Sequence, residues 1–236
     1  MTAPAAGGRP PAAPPTLLVV DDHVLVRAAL VAALRDDGLP AHGCRATTID
    51  GILAEASTHE PGVVLLDLDL GQGPDGTSVD GVEAVAPLRA RHWTVVVVSA
   101  ATGPHRSRVA AAITAGAHGQ VPKSSSFDEL IAAVTAVASG RGLMSDAERR
   151  RWIDLHRAER EETRRRAVLL SRLTARERFV LERLAAGRRA VEIAAEHVVS
   201  VTTVRSQIRA ILAKLEVSSQ LSAVALLQAH RLDSGS

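Results

Sequence analysis

The sequence predicts a doubly wound α/β domain on a five-stranded parallel sheet, followed by a helical linker and an all-α helix-turn-helix domain. Three observations carry this prediction. Short aliphatic runs at 17–20, 63–66 and 94–98 alternate with helical patterns, as in a parallel sheet covered on both faces. Beyond residue 146 the strand-like runs stop and the periodicity is helical throughout. The net charge of +2 is also split: residues 1–140 hold 9 basic and 14 acidic side chains, and residues 141–236 hold 19 and 12. An acidic part and a basic part suggest two domains with different partners, the basic one suited to nucleic acid or a membrane surface.

Composition narrows the class further. Hydrophobic residues make up 46 % of the chain but aromatics only 2 %, and tyrosine is absent, so the cores must be aliphatic. The single cysteine, Cys44, excludes a disulfide scaffold and a cysteine-rich zinc site. Residues 1–15, rich in Ala, Pro and Gly, lack the apolar run of a signal peptide and are expected to be a disordered tail. No apolar stretch approaches the ~18 residues of a membrane span, so a soluble, cytoplasmic chain with no membrane partner is expected.

The elements of the first domain, residues 16–140, follow in order. Leu17–Val20 is a buried strand ending in Asp21-Asp22, and Val24–Leu34 a helix. Ala41–Ala46 is a weak strand, Ile49–Ala56 a helix, and Val63–Leu66 a strand ending in Asp67-Leu68-Asp69. Gly71–Asp80 is a glycine-rich loop before a helix at Val82–Ala90. Thr94–Val98 leads into Ser99-Ala100, Val109–Ala115 is helical, Gln120-Val121 precedes Pro122-Lys123, and Phe127–Ser139 is an amphipathic helix. Residues 141–172 mix Glu and Arg at i,i+3 and i,i+4 spacing, which suits a solvated helical linker with too few apolar heptad positions for a coiled coil.

The last domain, residues 173–236, reads as four helices. Thr174, with Glu177 three residues on, is a capping box for a first helix that Gly187 ends. Val191–Glu196 and Thr202–Leu215 are short helices joined through 197–200, the spacing of a helix-turn-helix. Ser219–Ala229 is the fourth helix. On Thr202–Leu215, Arg205 and Arg209 share a face opposite the apolar stripe, with Ser206 beside them. Arginine is the commonest reader of guanine edges, while Thr203, Lys214, Ser218 and Ser219 suit phosphate contacts.

In the first domain the polar residues fall at the strand ends. Asp21, Asp22, Asp67, Ser99 and Lys123 each lie at or just past a strand's carboxyl end, the edge where open α/β sheets bind ligands. With strand order 2-1-3-4-5, Asp21, Asp22 and Asp67 meet. Three clustered carboxylates call for a cation, and hard oxygen donors suit Mg²⁺. A carboxylate so placed can act as a nucleophile toward phosphorus.

These residues carry a resemblance. Leu-Val-Val-Asp-Asp-His (18–23), Val-Val-Leu-Leu-Asp (63–67), Val-Val-Val-Ser-Ala (96–100) and Gly-Gln-Val-Pro-Lys (119–123) resemble a response-regulator receiver domain, which is flavodoxin-like in fold. The resemblance implies that Asp67 is the phosphoacceptor, that Asp21, Asp22 and Asp67 hold Mg²⁺ with the Asp69 carbonyl, and that Ser99 and Lys123 act on the phosphoryl group while small Ala100 leaves it room. Residues 173–181, 192–194, 200–215 and 217–220 resemble the LuxR-type helix-turn-helix. Together the two modules are similar to the NarL/FixJ regulators. That implies a two-component transcription regulator, phosphorylated by a sensor histidine kinase and forming a homodimer on phosphorylation or on DNA. Base readout falls on Arg205, Ser206 and Arg209, and a dimer contact on Leu221, Val224 and Leu227.

Three departures stand out. The loop after Asp69 is longer than usual, with Gly71 where proline is common. Gln120 stands where an aromatic usually reports phosphorylation, and Glu216 where glycine usually follows the recognition helix. Gln120 and the long loop motivate an alternative: a receiver-containing DNA-binding regulator that works without phosphate. Leu66-Asp67-Leu68-Asp69 also resembles the nucleophile strand of haloacid-dehalogenase phosphatases, but Gly71 stands where that family wants Thr or Val, and the motif follows the third strand rather than the first. The chain is therefore expected not to be an enzyme of that kind.

Overall fold

The computed structural model describes residues 14–99 and 105–234. Most of the expected tail, and Ala100, lie outside the described residues. The chain divides into two compact units, Met1–His156 and Arg157–Ser236.

The first unit runs β1 (Leu17–Val20), α1 (Val24–Asp36), β2 (Ala41–Cys44), α2 (Ile49–Ala56), β3 (Val63–Leu66), β4 (Asp69–Gln72), β5 (Ser78–Asp80), α3 (Val82–Ala90), β6 (Thr94–Ser99), α4 (His105–Thr114), β7 (Gly119–Pro122) and α5 (Phe127–Ala138). Five strands form one sheet in the order β2-β1-β3-β6-β7, all parallel. This is the expected 2-1-3-4-5 order once the small β4–β5 pair is set aside.

Strand alternation builds a core on each face. Leu18, Val20, Val64, Leu66, Val95 and Val97 pack with Ile52, Val85, Leu88 and Ile113. Leu17, Val19, Leu65, Val96 and Val98 pack on the other face with Val31, Leu34, Leu130 and Val134. Each fully buried aliphatic side chain contributes roughly 1.5–3 kcal/mol of transfer free energy, which holds the sheet's register. Thr48 caps α2, and a Ser126–Glu129 capping box starts α5.

Two expectations are corrected. The segment 71–80 is not an open loop: β4 and β5 pair antiparallel, Asp69 opposite Asp80 and Gln72 opposite Ser78. Its tip is closed by Gly73 N donating to Thr77 O at 2.7 Å and by Asp75 Oδ1, which accepts from Thr77 N at 3.1 Å and Thr77 Oγ1 at 2.7 Å. Gly71 (φ +70°) and Gly76 (φ +78°) supply left-handed conformations that this hairpin requires.

The linker is not solvated from residue 141 onward. α6 (Asp146–Ser171) is one continuous helix whose start belongs to the first unit. Leu143, Met144 and Trp152 pack against the first unit's two cores. The Arg149 guanidinium donates to Ala117 O at 3.0 Å and His118 O at 2.7 Å, and Arg106 lies over the Trp152 ring at 5.7 Å.

The second unit contains the end of α6, then α7 (Ala175–Ala185), α8 (Ala190–Glu196), α9 (Val201–Lys214) and α10 (Gln220–Ser234). Leu169, Leu170, Leu181, Ile193, Val204, Ile208, Ile211, Leu215 and Leu227 form its core. The expected capping box is present: Thr174 N donates to Glu177 Oε2 at 2.8 Å and Glu177 N to Thr174 Oγ1 at 3.3 Å. Glu216 sits at φ +58°, and its carboxylate is gripped by Arg172 at 2.8 Å and Arg165 at 3.5 Å. Among the described residues, no helix is long and apolar enough to cross a membrane.

Candidate functional site

The acidic site follows from sheet register. β1 and β3 are neighbours with Val20 opposite Leu66, so the residues that follow, Asp21 and Asp67, emerge side by side. Asp67 N donates to Val20 O at 2.8 Å, which continues the ladder past the strand end. β7 brings Lys123 to the same edge: Lys123 N donates to Ser99 O at 2.9 Å, and its ammonium donates to Asp67 Oδ2 at 2.6 Å and Asp21 Oδ2 at 3.2 Å. Asp67 Oδ1 accepts from Asp69 N at 3.1 Å. Asp21, Asp67 and Ser99 are buried, while Asp22 and Asp69 are exposed.

Oxygen atoms of Asp21, Asp22 and Asp67 and a ring nitrogen of His23 lie within 4.8 Å of one another. His23, exposed as it is, was not among the expected site residues. It belongs to this cluster: Nδ1 is 2.6 Å from Asp22 Oδ1, and its amide donates to Asp21 Oδ1 at 2.8 Å. Sequence spacing could not find it, because no second histidine accompanies it and only the turn after β1 folds the ring back. The three carboxylates are a hard oxygen donor set of the kind that suits Mg²⁺. Gly71 borders the site, and a Cβ there would stand 2.9 Å from Asp22 Oδ2.

Burial pushes the Asp67 carboxyl above the usual carboxylate range, although the Lys123 hydrogen bond pulls the other way. Burial works against the Lys123 charge, but the hydrogen bond and charge of Asp67, with the charge of Asp21, outweigh it and raise the ammonium. Arg108 extends the site's support: from α4 it donates to Leu68 O and, at 2.7 Å, to Asp80 Oδ1. The sequence had not singled it out, since nothing in a lone helical arginine predicts a bond to a carbonyl 40 residues earlier.

In the second unit α8 and α9 are joined through His197–Ser200, and Ser200 Oγ caps α9 by accepting from Thr203 N at 3.0 Å. Thr203, Arg205, Ser206 and Arg209 are all exposed, opposite buried Val204, Ile208 and Ile211. Lys214 is differently employed: its ammonium donates to Glu177 Oε2 at 2.6 Å and pins α9 to the start of α7. Leu227, expected at a dimer contact, is only 3 % exposed and packs in this unit's own core, because the i,i+4 spacing Ala223–Leu227 points inward. Val224 packs partly against that core, and Leu221 is 80 % exposed.

A parallel sheet with a buried aspartate at the switch point, joined to a helix-turn-helix, defines a class: a receiver module coupled to a DNA-binding module. Two family models match accordingly, "Response regulator receiver domain" over residues 17–135 and "Bacterial regulatory proteins, luxR family" over residues 171–227. The chain belongs to the response regulators that carry a LuxR-family DNA-binding domain. Among its relatives, the probable transcriptional regulatory protein NarL of Mycobacterium tuberculosis is 31 % identical over 213 residues, 90 % of this chain and 93 % of that protein. The nitrate/nitrite response regulator NarP of Escherichia coli is 31 % identical over 89 % of this chain and 93 % of its own length. A solved structure of RcsB from Salmonella typhimurium covers 90 % of this chain and 98 % of its own, with 19 % identity and a TM-score of 0.49.

Proposed function

We propose that Asp67 accepts a phosphoryl group from a sensor histidine kinase and that this event controls the dimerisation and sequence-specific DNA binding of the chain. The observation that carries the reading is the buried Asp67 carboxylate, with Lys123 Nζ 2.6 Å from one oxygen and the Asp21 and Asp22 carboxylates in reach. A carboxylate oxygen of Asp67 attacks phosphorus, the phosphorus–nitrogen bond of the donor histidine breaks, and the imidazole leaves with its electron pair. Asp21, Asp22 and Asp67 would hold Mg²⁺ together with the Asp69 carbonyl, and the ion supplies charge neutralisation for the phosphoryl oxygens. Lys123 pairs with the transferred group as a point charge, and the Ser99 hydroxyl donates to it.

On the second unit, α9 enters the major groove with Arg205, Ser206 and Arg209 on base edges and Thr203 on phosphate. Lys214 takes the role of a structural cation instead. Leu221 and Val224 carry the dimer contact. The chain acts in the cytoplasm, where kinase and DNA are both accessible.

The test is incubation with Mg²⁺ and a small phosphodonor. A phosphate adduct lost in Asp67→Asn is expected, together with tighter DNA binding by the phosphorylated form. No adduct, with DNA binding intact, favours the phosphate-independent reading, for which Gln120 on β7, in place of an aromatic, is the motivating feature.

A further inference from the structure

Three arginines of the acidic first unit line one groove at the β2 edge of the sheet. Residues 1–140 hold 9 basic side chains against 14 acidic ones, yet Arg27, Arg35 and Arg45 line a single open groove of about 790 Å³, with His42 and His59. One carboxylate, Glu55, faces them, and it accepts from Arg45 N at 3.0 Å. The groove wraps the outer edge of β2, an edge strand of the sheet, between α1 and α2.

Two of the three arginines are held in place by side-chain bonds. Arg27 donates to the Asp21 main-chain oxygen, and Arg35 Nε donates to Ala41 O at 2.8 Å. Each guanidinium carries further N–H donors beyond that bond. Gly43 leaves room for this packing: a Cβ there would stand 3.3 Å from the Arg27 stem, which would have to shift by a few tenths of an ångström. The His42 and His59 rings stack with centroids 4.3 Å apart.

We propose that this groove binds a small, multiply charged phosphate compound of the pyrophosphate or nucleotide class. Guanidinium forks match phosphate oxygens two at a time, and anchored arginines lose little freedom on binding. The volume lies within the ~300–1,000 Å³ of small-molecule sites. An added peptide strand fits less well. Leu17 N takes Pro40 O, so by alternation Ala41 O points away from β1, and Arg35 already occupies that oxygen. The paired histidines add a responsive element. Burial, then the charges of His59 and Arg35, hold the His42 ring below its ordinary value of 6.5. A bound anion facing His42, His59, Arg27, Arg35 and Arg45 offsets that repulsion, with Glu55 the one opposing group among the described lining residues.

The test follows the His42 and His59 ring resonances of the full chain by NMR while pyrophosphate is added without Mg²⁺. Both should shift on one saturable curve, the His42 pKa should rise, and His197 and His230 should stay still. Arg35→Gln with Arg45→Gln should weaken binding about tenfold or more while circular dichroism shows the fold retained. No saturable shift in the folded protein overturns the proposal. So does a curve that the double variant leaves unchanged, or equally tight binding of an acidic peptide, which would assign the groove to a protein segment. None of these outcomes depends on whether Asp67 is phosphorylated.

Discussion

Lys123 Nζ lies 2.6 Å from Asp67 Oδ2, so the last strand of the sheet delivers the only described cation that bonds directly to the carboxylate at the switch point. Burial pushes Asp67 toward its neutral form, and Lys123 offsets that tendency. Lys123→Met should therefore slow adduct formation from a small phosphodonor by about a hundredfold, the scale of losing one well-placed charge donor. Unfolding midpoints measured alongside should fall at neutral pH, because the buried Asp21 and Asp67 carboxylates lose their cation, so rates are compared at a temperature where both proteins are folded. Adduct formation at the wild-type rate would remove Lys123 from the chemistry.

Glu177 predicts a pH dependence for the second unit. Burial alone pushes its carboxyl up, but the Lys214 hydrogen bond and the Thr174 backbone and hydroxyl bonds outweigh it and hold the group below 4.5. A carboxyl depressed in the folded state stabilises the fold fully above its unfolded value and loses that contribution as pH falls through the folded one. Urea unfolding should show Glu177→Gln less stable by about 1–2 kcal/mol at pH 7, through loss of the charge that holds Lys214, since a Gln amide oxygen can still accept from Thr174 N and keep the capping box. That gap should close below about pH 4. A gap independent of pH would mean that the carboxylate's charge does not hold α7 to α9.

The recognition helix separates two kinds of basic residue. Arg205→Ala should weaken binding to a specific DNA site by about 1–3 kcal/mol and relax preference at one base position. Lys214→Met should instead lower the unfolding midpoint and leave base preference unchanged, because its ammonium is committed to Glu177. Titrations with specific and scrambled duplexes at several salt concentrations distinguish the two. Equal binding by Arg205→Ala would move base readout elsewhere on α9.

How much of this was legible in the sequence depended on how local each signal was. The strand ends at Asp21 and Asp67 were legible, because continuous aliphatic runs mark buried parallel strands and their ends are sharp; Lys123 follows only Gly-Gln-Val-Pro, and the receiver-like motif at 119–123 placed it. The Thr174–Glu177 box was legible for the same reason: it spans one turn. The β4–β5 hairpin was not, since its pairing is polar, three or four residues long and held by side-chain bonds at Asp75. Leu227 was misplaced because an apolar residue on a terminal helix reads alike whether it meets its own core or a second copy.

Cys44 offers a check on the first unit's integrity. Burial raises its thiol to about 12, so almost no thiolate exists near neutral pH. A thiol-reactive probe at pH 8 should label the native protein only as fast as the unit opens, with full labelling in urea. Rapid labelling without denaturant would show that the β2 edge opens readily.

The boundary of the first unit gives the remaining prediction. Charge patterning ends that domain at residue 140, but Met144 and Trp152 pack on its core, and Arg149 donates to two main-chain oxygens of the segment between α4 and β7. A fragment ending at 140 loses all of these contacts, and one ending at 156 keeps them. Truncating a fully buried Trp costs about 3–5 kcal/mol, so a half-buried ring accounts for about 2 kcal/mol. The shorter fragment should therefore unfold at a clearly lower urea concentration than the longer one, and Trp152→Ala in the full chain should reproduce most of the difference. Equal midpoints would return the start of α6 to a solvated linker. A difference that Trp152→Ala does not reproduce would assign it to the Arg149 bonds, which Arg149→Ala then measures.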